Sequence, residues 1–241
     1  NGVSYDIGPH IIFSKHEEIL KLHTEIIRTN KIKRSNKIFF KNNFIKYPFE
    51  NDLSSLNEED KNYCLQEFLN NPYENYNSTN MLQFFLKTFG EGITRLYLQP
   101  YNEKIWKYDP GFMDTQMVER IPKPPKEDVI KSANGEETEG YLHQLFFHYP
   151  KKGGFQSLID AYEKLNLSKD NQVLTDIEVQ EIVRADNSWI VKTNHGEFEA
   201  NTLINTAPIH EFSKYFTLPD DILLALNELK FNSIYIVMIQ V

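Results

Sequence analysis

A change of hydrophobic period along the chain sets limits on its fold. Up to about residue 165 the apolar residues recur mainly at helical spacing, whereas residues 176–200 alternate with period two. Turn sequences at residues 186–187 and 194–196 divide that stretch into three runs, which predicts a three-stranded antiparallel meander. An apolar run at residues 203–206, ended by Pro208, is predicted to be a further strand. Helical and sheet segments together predict a mixed α/β protein.

The segments before and after the meander alternate between the two types. A possible capping box at Ser14 and Glu17 predicts a helix over residues 16–29, and Asn57 and Thr79 are predicted caps of two more. Two aromatic-rich runs around the Asn42-Asn43 pair predict a β-hairpin over residues 37–47. Gly90 and Gly92 are expected to break the second capped helix. Further helices are expected at residues 93–98, 155–165 and 220–229, strands at 5–13 and 233–241, and a stiff connector at 122–125.

Composition excludes several classes of protein. The 241 residues carry 34 acidic and 26 basic side chains, a net charge of −8, which argues against nucleic acid as a partner. Cys64 is the single cysteine, so no disulfide can form within the chain, and a reducing, cytoplasmic location is expected. We expect Cys64 to lie in the core. The longest apolar run, residues 234–241, is far shorter than the roughly 20 residues of a membrane-spanning helix.

Both ends of the sequence are unusual. The chain opens on an Asn-Gly turn that leads directly into an apolar run, and it closes within another apolar run. An unpaired apolar strand at a terminus is an aggregation hazard, so we interpret the sequence as an internal segment of a longer protein. The alternative is a small protein with atypical ends.

Four segments have motif-like sequences in a fixed order. They are YDIGPHIIF at residues 5–13, YNEKIW at 101–106 followed by RIP at 120–122, YPKKGGF at 149–155, and the meander that ends in NTAP at 205–208. Together they resemble the flavin-dependent amine oxidase superfamily, with UDP-galactopyranose mutase and protoporphyrinogen-oxidase-like proteins as the nearest branches. The resemblance covers nearly the whole chain. It departs from the mutase pattern at Ile105, which replaces Gln, and at Pro124, which replaces the second Arg.

The resemblance implies FAD as the cofactor. It places Gly8, Pro9, His10, Thr206, Ala207 and Pro208 against the flavin and Val179 against the adenine. It also implies part of an FAD-binding Rossmann-like domain with an inserted helical substrate domain. The expected segments are 1–15 (FAD domain), 16–150 (substrate domain with a hairpin), 151–210 (FAD-domain meander and return strand) and 211–241 (second substrate segment). The superfamily's G-x-G-x-x-G loop, which holds the pyrophosphate, does not occur in this sequence. The segment alone is therefore expected not to hold FAD tightly and to be inactive.

The resemblance also suggests residues for a small-molecule substrate, which could be a nucleotide sugar. Tyr101 and Trp106 would stack on the substrate, Arg120 would contact a phosphate, and Asn51 would lie nearby; each could instead be an ordinary core or surface residue. A basic stretch could steer an anionic substrate or could be a solvated face (Lys31, Lys33, Arg34, Lys37, Lys41, Lys46). His143 and His148 lack completing ligands, so no metal site is predicted.

Three functions remain open. The first is an FAD-dependent oxidoreductase in which hydride passes from substrate to flavin. The second is a mutase-like flavoenzyme that isomerises a nucleotide sugar without net redox change. The third is a non-catalytic relative that binds a ligand.

Overall fold

The computed structural model describes residues 5–8, 10–118, 121, 123–138, 145–169, 171–237 and 239. The chain divides into two units, residues 1–159 and 160–241. In these residues the elements are helices and three small antiparallel sheets, and the predicted mixed α/β class is confirmed. The four-segment domain division stays a prediction. No helix in the described part of the chain has the length and apolarity that crossing a membrane requires.

Two packed helices, α2 (Glu58–Leu69) and α3 (Met81–Ile93), build the core of the first unit. Gly90 and Gly92 on α3 allow the close approach, because a Cβ at Gly92 would lie 2.6 Å from the Cα of Cys64. Cys64 is fully buried, as expected. The core side chains come from both helices and the segments around them (Ile45, Phe49, Leu53, Cys64, Phe68, Met81, Phe85, Phe89, Ile93, Val129).

One of the two predicted helix caps is correct. Asn57 caps α2, and its Oδ1 accepts a hydrogen bond from the amide of Asp60 at 2.9 Å. The cap of α3 is Asn80 rather than Thr79, and its Oδ1 accepts from the amide of Gln83 at 2.9 Å. Thr79 is one residue too early for this role, and its own amide instead donates to Oε1 of Gln83.

The predicted break at Gly90 and Gly92 is a kink. Gly90 has φ of 74°, yet α3 continues to Ile93 and leads into a π-helical turn at Thr94–Leu98 and then into α4 (Gln99–Trp106). The helix expected at 93–98 is thus the turn that joins α3 to α4. The helix α5 (Lys126–Ala133) follows the proline-rich connector and was not predicted.

The predicted hairpin is confirmed. Strands β2 (Lys37–Phe40) and β3 (Asn43–Lys46) pair antiparallel. The turn lies one residue earlier than predicted: Lys41 and Asn42 form it with φ of 45° and 65°, the left-handed geometry that favours asparagine, whereas Asn43 is the first residue of β3. A second ribbon was not predicted: β1 (Thr29–Lys33) pairs antiparallel with β4 (Phe146–Pro150).

The beginning of the first unit differs from the prediction. α1 is Glu17–Ile26 with His16 as its N-cap, and the Ser14 hydroxyl accepts from the amide of His16 at 3.0 Å. Ser14 lies two residues before the N-cap, so its hydroxyl closes a local turn and the capping box does not form. The opening strand is also wrong, because residues 5–8 and 10–13 make a single bridge, between Ile12 and His148, rather than a ladder.

The remaining elements are α6 (Gln156–Leu167), the meander and α7 (Asp220–Glu228). The predicted meander is confirmed, with β5 (Val179–Arg184), β6 (Trp189–Thr193) and β7 (Gly196–Ala200) in that order. The strand predicted at residues 203–206 is wrong, and so is the final one over its described residues. A strand needs a hydrogen-bonded neighbour, and the described residues provide none for these two runs.

Candidate functional site

Two glycine-bearing loops of the first unit meet through Asp6. Its Oδ2 accepts a hydrogen bond from the Tyr149 hydroxyl at 2.5 Å, and its Oδ1 accepts from the amide of Phe155 at 2.9 Å. The hydrogen bond from Tyr149 lowers the pKa of the Asp6 carboxyl below its ordinary value, which keeps it ionised at neutral pH. Gly154, with φ of 60°, makes room for this contact, since a Cβ there would lie 2.5 Å from Oδ1. We call this arrangement the Asp6 clasp.

The clasp joins two of the sequence motifs. The ring centroids of His10 and Phe155 are 5.1 Å apart, so residue 10 of the first motif contacts residue 155 of the third. Gly8 has φ of 104° and His10 is exposed, while Pro9 lies outside the described residues. Sequence reasoning did not select Asp6. The signal available in the sequence was an acidic residue two positions before the glycine of the first motif.

The surface beside the clasp suits a flat aromatic ligand. Gly8 presents backbone without a side chain, and Ile7 is 84% exposed, which leaves apolar surface for a ring to cover. The residues present therefore fit the ring part of a flavin.

A ladder of stacked rings leads from the core to the surface of the first unit. Phe49 is fully buried and stacks on Tyr97, with centroids 4.8 Å apart and planes 8° apart. Tyr97 stacks on Tyr101 at 5.2 Å, and Tyr101 is 43% exposed. Tyr97 lies in the π-helical turn Thr94–Leu98, and Tyr101 lies in the helix α4 that follows this turn. The ladder holds Tyr101 with one ring face supported, as a stacking surface for a ligand would require.

Two other predicted substrate residues, Trp106 and Asn51, do not join this ladder. Trp106 lies five residues after Tyr101 on α4, which places it about 140° round the helix axis. Its Nε1 donates to Oδ1 of Asn102 at 3.2 Å. Asn51 is buried, and its Nδ2 donates to Oγ1 of Thr138 at 2.9 Å. Arg120 lies outside the described residues.

A cleft of about 530 Å³ opens beside the β2–β3 hairpin. We call it the hairpin cleft; its walls come from the β1–β2 connection, β3, the turns after Pro48 and the loop after α5 (Lys33, Arg34, Ser35, Asn36, Lys37, Phe44, Lys46, Tyr47, Pro48, Asn51, Asp52, Ser54, Ser55, Gly135, Glu136, Glu137, Leu145). Four members of the predicted basic stretch line it. The other two do not: Lys31 lies over the Phe146 ring at 4.8 Å and Lys41 pairs with Asp60 at 2.7 Å.

Tyr47 is an aromatic residue that lines the hairpin cleft. It is 37% exposed, and desolvation together with the neighbouring Glu50 and Tyr101 raises the pKa of its hydroxyl. Burial likewise raises the pKa of Tyr97. Tyr47 was not among the residues predicted from the sequence, although it lies only four positions before Asn51.

The remaining predicted residues belong to the second unit. Val179 opens β5 and is half-buried opposite Thr193. Thr206, Ala207 and Pro208 lie in an exposed loop. That they face the same cofactor as Gly8 and His10 stays a prediction. In the described part of the chain, no group of three or more His, Cys, Asp or Glu side chains could hold a metal ion.

Comparison with known proteins gives the family and the fold. The model of the family described as flavin containing amine oxidoreductase matches residues 1–241. The structure of reduced UDP-galactopyranose mutase is similar, with a TM-score of 0.82 and 23% identity, over 96% of this chain and 52% of that one. A candidate protoporphyrinogen oxidase from Exiguobacterium sp. 255-15 has a TM-score of 0.59 and 19% identity, over 92% of this chain and 52% of that one. The chain thus spans about half the length of the solved structures that it matches.

Proposed function

The chain belongs to the family of flavin containing amine oxidoreductases, and from this we propose that the protein containing it is an FAD-dependent enzyme. Membership of this family implies a flavin cofactor. The Asp6 clasp is the observation from which we propose particular residues as its contacts. Bound flavin supplies a reversible acceptor of hydride or electron pairs.

The first unit contributes a preformed surface for the flavin ring. Gly8 lets the backbone approach the ring without a Cβ, and His10 closes the edge of this surface against Phe155. The ionised Asp6 accepts one hydrogen bond from Tyr149 on β4 and one from the amide of Phe155 in the segment after β4, which fixes the two motifs against each other. Val179, Thr206, Ala207 and Pro208 are the proposed contacts from the second unit. No residue of this chain is proposed for the pyrophosphate, because the G-x-G-x-x-G loop that would hold it does not occur in the sequence.

The proposed substrate is a small molecule with a planar or sugar ring, of which nucleotide sugars are the class we favour. Tyr101 offers the supported ring face on which a base or sugar would stack, and Trp106 offers a second aromatic surface on the same helix. The name of the mutase that shares this fold supports the nucleotide-sugar class. Arg120 remains the proposed phosphate contact.

Two reactions fit this arrangement. Hydride transfer from the substrate to the flavin is the one that the family's description supports. Isomerisation of a nucleotide sugar without net redox change is the second candidate, favoured by the TM-score of 0.82 to the mutase over nearly all of this chain.

The test uses the whole protein that contains this chain. We expect it to purify with stoichiometric flavin, identified as FAD after heat release, and Asp6→Ala to lower the flavin content. Anaerobic addition of the true substrate would bleach the flavin in the oxidoreductase case. UDP-galactopyranose would be isomerised by the dithionite-reduced enzyme, without turnover-linked bleaching, in the mutase case.

Tyr101→Ala and Trp106→Ala test the substrate surface. We expect Tyr101→Ala to weaken binding of UDP by about tenfold, since loss of one aromatic stack costs on the order of 1–3 kcal/mol. A colourless protein that binds UDP would instead support the third function, a non-catalytic ligand-binding relative. A protein that retains FAD but has equal UDP affinity in wild type and Tyr101→Ala would remove Tyr101 from the site.

A further inference from the structure

Arg34 has unused hydrogen-bonding capacity at the hairpin cleft. Its Nε is buried and has no hydrogen-bond partner among the described residues. The guanidinium lies 4.9 Å from the centroid of the Phe13 ring, which fixes its plane without supplying an acceptor. A buried donor without an acceptor is costly, and a bound oxyanion that reaches the guanidinium would supply an acceptor. Planar guanidinium groups bind phosphate oxygens through two parallel hydrogen bonds.

Other charged side chains of the cleft are already used by the protein. The Nζ of Lys46 donates to the carbonyl of Thr138 at 2.6 Å. The carboxylate of Asp52 accepts from the amide of Lys46 at 2.7 Å and from the hydroxyl of Ser55 at 2.8 Å. These two opposite charges therefore hold the wall of the cleft together, and neither is the natural contact of a ligand.

The other charges make the cleft bipolar. Lys33, Arg34 and Lys37 lie on the β1–β2 side, whereas Glu136 and Glu137 are exposed on the loop after α5. Lys37 is held near the Phe44 ring, with its Nζ 6.0 Å from the centroid. One wall thus favours an anion, and the other favours hydrogen-bond donors such as sugar hydroxyls. The volume of about 530 Å³ suits a ligand of the size of one phosphorylated sugar.

We propose that the hairpin cleft binds a small phosphorylated polyol. Its phosphate contacts Arg34 and Lys37, with the Tyr47 hydroxyl as a further donor. Its hydroxyl groups donate to Glu136 and Glu137. This binding does not rest on the proposed flavin chemistry, because none of the residues named here belongs to the Asp6 clasp or to the proposed stacking surface of Tyr101 and Trp106.

Titration calorimetry on the whole protein, with its flavin content recorded, tests the site. The probes are glucose 1-phosphate, inorganic phosphate and glucose. We expect glucose 1-phosphate to bind more tightly than inorganic phosphate, and glucose not to bind measurably. Arg34→Gln is expected to weaken both phosphate-bearing probes by about tenfold or more, and Arg34→Lys by nearly as much, because an ammonium cannot reproduce the planar fork.

Two further variants separate the walls of the cleft. The double variant Glu136→Gln/Glu137→Gln is expected to weaken glucose 1-phosphate by about threefold or more while leaving inorganic phosphate no weaker. Lys31→Gln is the matched control, because it removes one positive charge from the neighbouring strand β1 outside the cleft. It is expected to change either affinity less than twofold.

Several results would overturn the proposal. They are no binding of glucose 1-phosphate at millimolar concentration, equal effects of Arg34→Gln and Lys31→Gln, or equal affinity for the two phosphate-bearing probes. If Arg34→Gln does not fold, as judged by its melting temperature, Lys37→Gln takes its place, since Lys37 is exposed. Absence of flavin in the same sample would contradict the proposed function and leave this result standing.

Discussion

Replacing Gly92 by alanine is expected to destabilise the first unit, because the new methyl group would enter the contact between α2 and α3. The Cβ would lie 2.6 Å from the Cα of Cys64 and 2.8 Å from the carbonyl oxygen of Tyr63. That carbon–carbon distance is roughly 1 Å shorter than the separation that carbon atoms prefer. The obstacle is backbone, which cannot rotate away, so the two helices must move apart.

The size of the effect follows from two opposing terms. Overpacking a core costs about 1–3 kcal/mol, and a clash with backbone belongs at the upper end of that range. Alanine is the better helix former by about 1 kcal/mol, which offsets part of the cost. We therefore expect Gly92→Ala to lower the free energy of unfolding by about 2 kcal/mol or more.

Two other glycines of the same unit provide controls. Gly135 has φ of 82°, and the nearest atom to an added Cβ is 3.9 Å away, so Gly135→Ala adds backbone strain of about 1–2 kcal/mol without a clash. Gly90 combines φ of 74° with overlap against the Glu67 carbonyl, so Gly90→Ala should be the most damaging of the three.

Hydrogen exchange of the α2 and α3 amides in the whole protein gives the local stability, and differential scanning fluorimetry gives the melting temperature. The expected order of damage is Gly90→Ala, then Gly92→Ala, then Gly135→Ala. A Gly92→Ala protein whose α2 amides are as protected as those of wild type would show that the two helices do not cross this closely.

Three further outcomes are expected. The pKa of Asp6 is lowered in the folded state, chiefly by the Tyr149 hydrogen bond. The clasp therefore stabilises the protein above about pH 4, and this stabilisation is lost as the pH falls through the folded-state pKa. The difference in melting temperature between wild type and Asp6→Asn should shrink over the same pH range. Burial raises the pKa of Cys64 to about 12, so its thiol should react with iodoacetamide at pH 8 in denatured but not in native protein. Asp60→Asn should cost about 1–3 kcal/mol of unfolding free energy, read from urea titration, because it weakens the contact with Lys41 at 2.7 Å; a neutral effect would make that pair a surface contact of no consequence.

Local chemistry made part of the fold predictable. Asn42 tolerates the left-handed turn of the hairpin, and Asn57 lies three residues before an amide that its side chain can reach, so both elements follow from a few neighbouring residues. The β1–β4 ribbon could not be found in this way. The sequence of β1 is polar, and its partner lies more than a hundred residues later. Conversely, residues 203–206 have a strand-like composition but no partner strand in the described residues. The composition of a segment does not indicate whether another strand lies beside it.

In the candidate site too, local motifs could be recognised from the sequence, whereas contacts between distant residues could not. Gly8 and His10 were selected from a local motif, but the carboxylate that fixes them against the second loop reaches residues more than 140 positions away. Arg34 and Tyr47 line the same hairpin cleft as Glu136 and Glu137, although about 90 residues or more separate the two pairs. Neither contact is encoded in the spacing of residues along the chain.

The β1–β4 ribbon also has a consequence for the order in which the first unit folds. Its two strands enclose about 110 residues, and closing so long a chain segment costs roughly 4 kcal/mol of entropy before any contact forms. A two-stranded ribbon is marginally stable by itself, so it should form after α2, α3 and α5 have condensed and shortened the enclosed chain. The Asp6 clasp depends on the same long-range closure, since Tyr149 belongs to β4. In pulsed hydrogen exchange during refolding, the amides of β1 and β4 should therefore become protected later than those of α2 and α3, and the surface proposed for the flavin would be among the last parts of the unit to take shape.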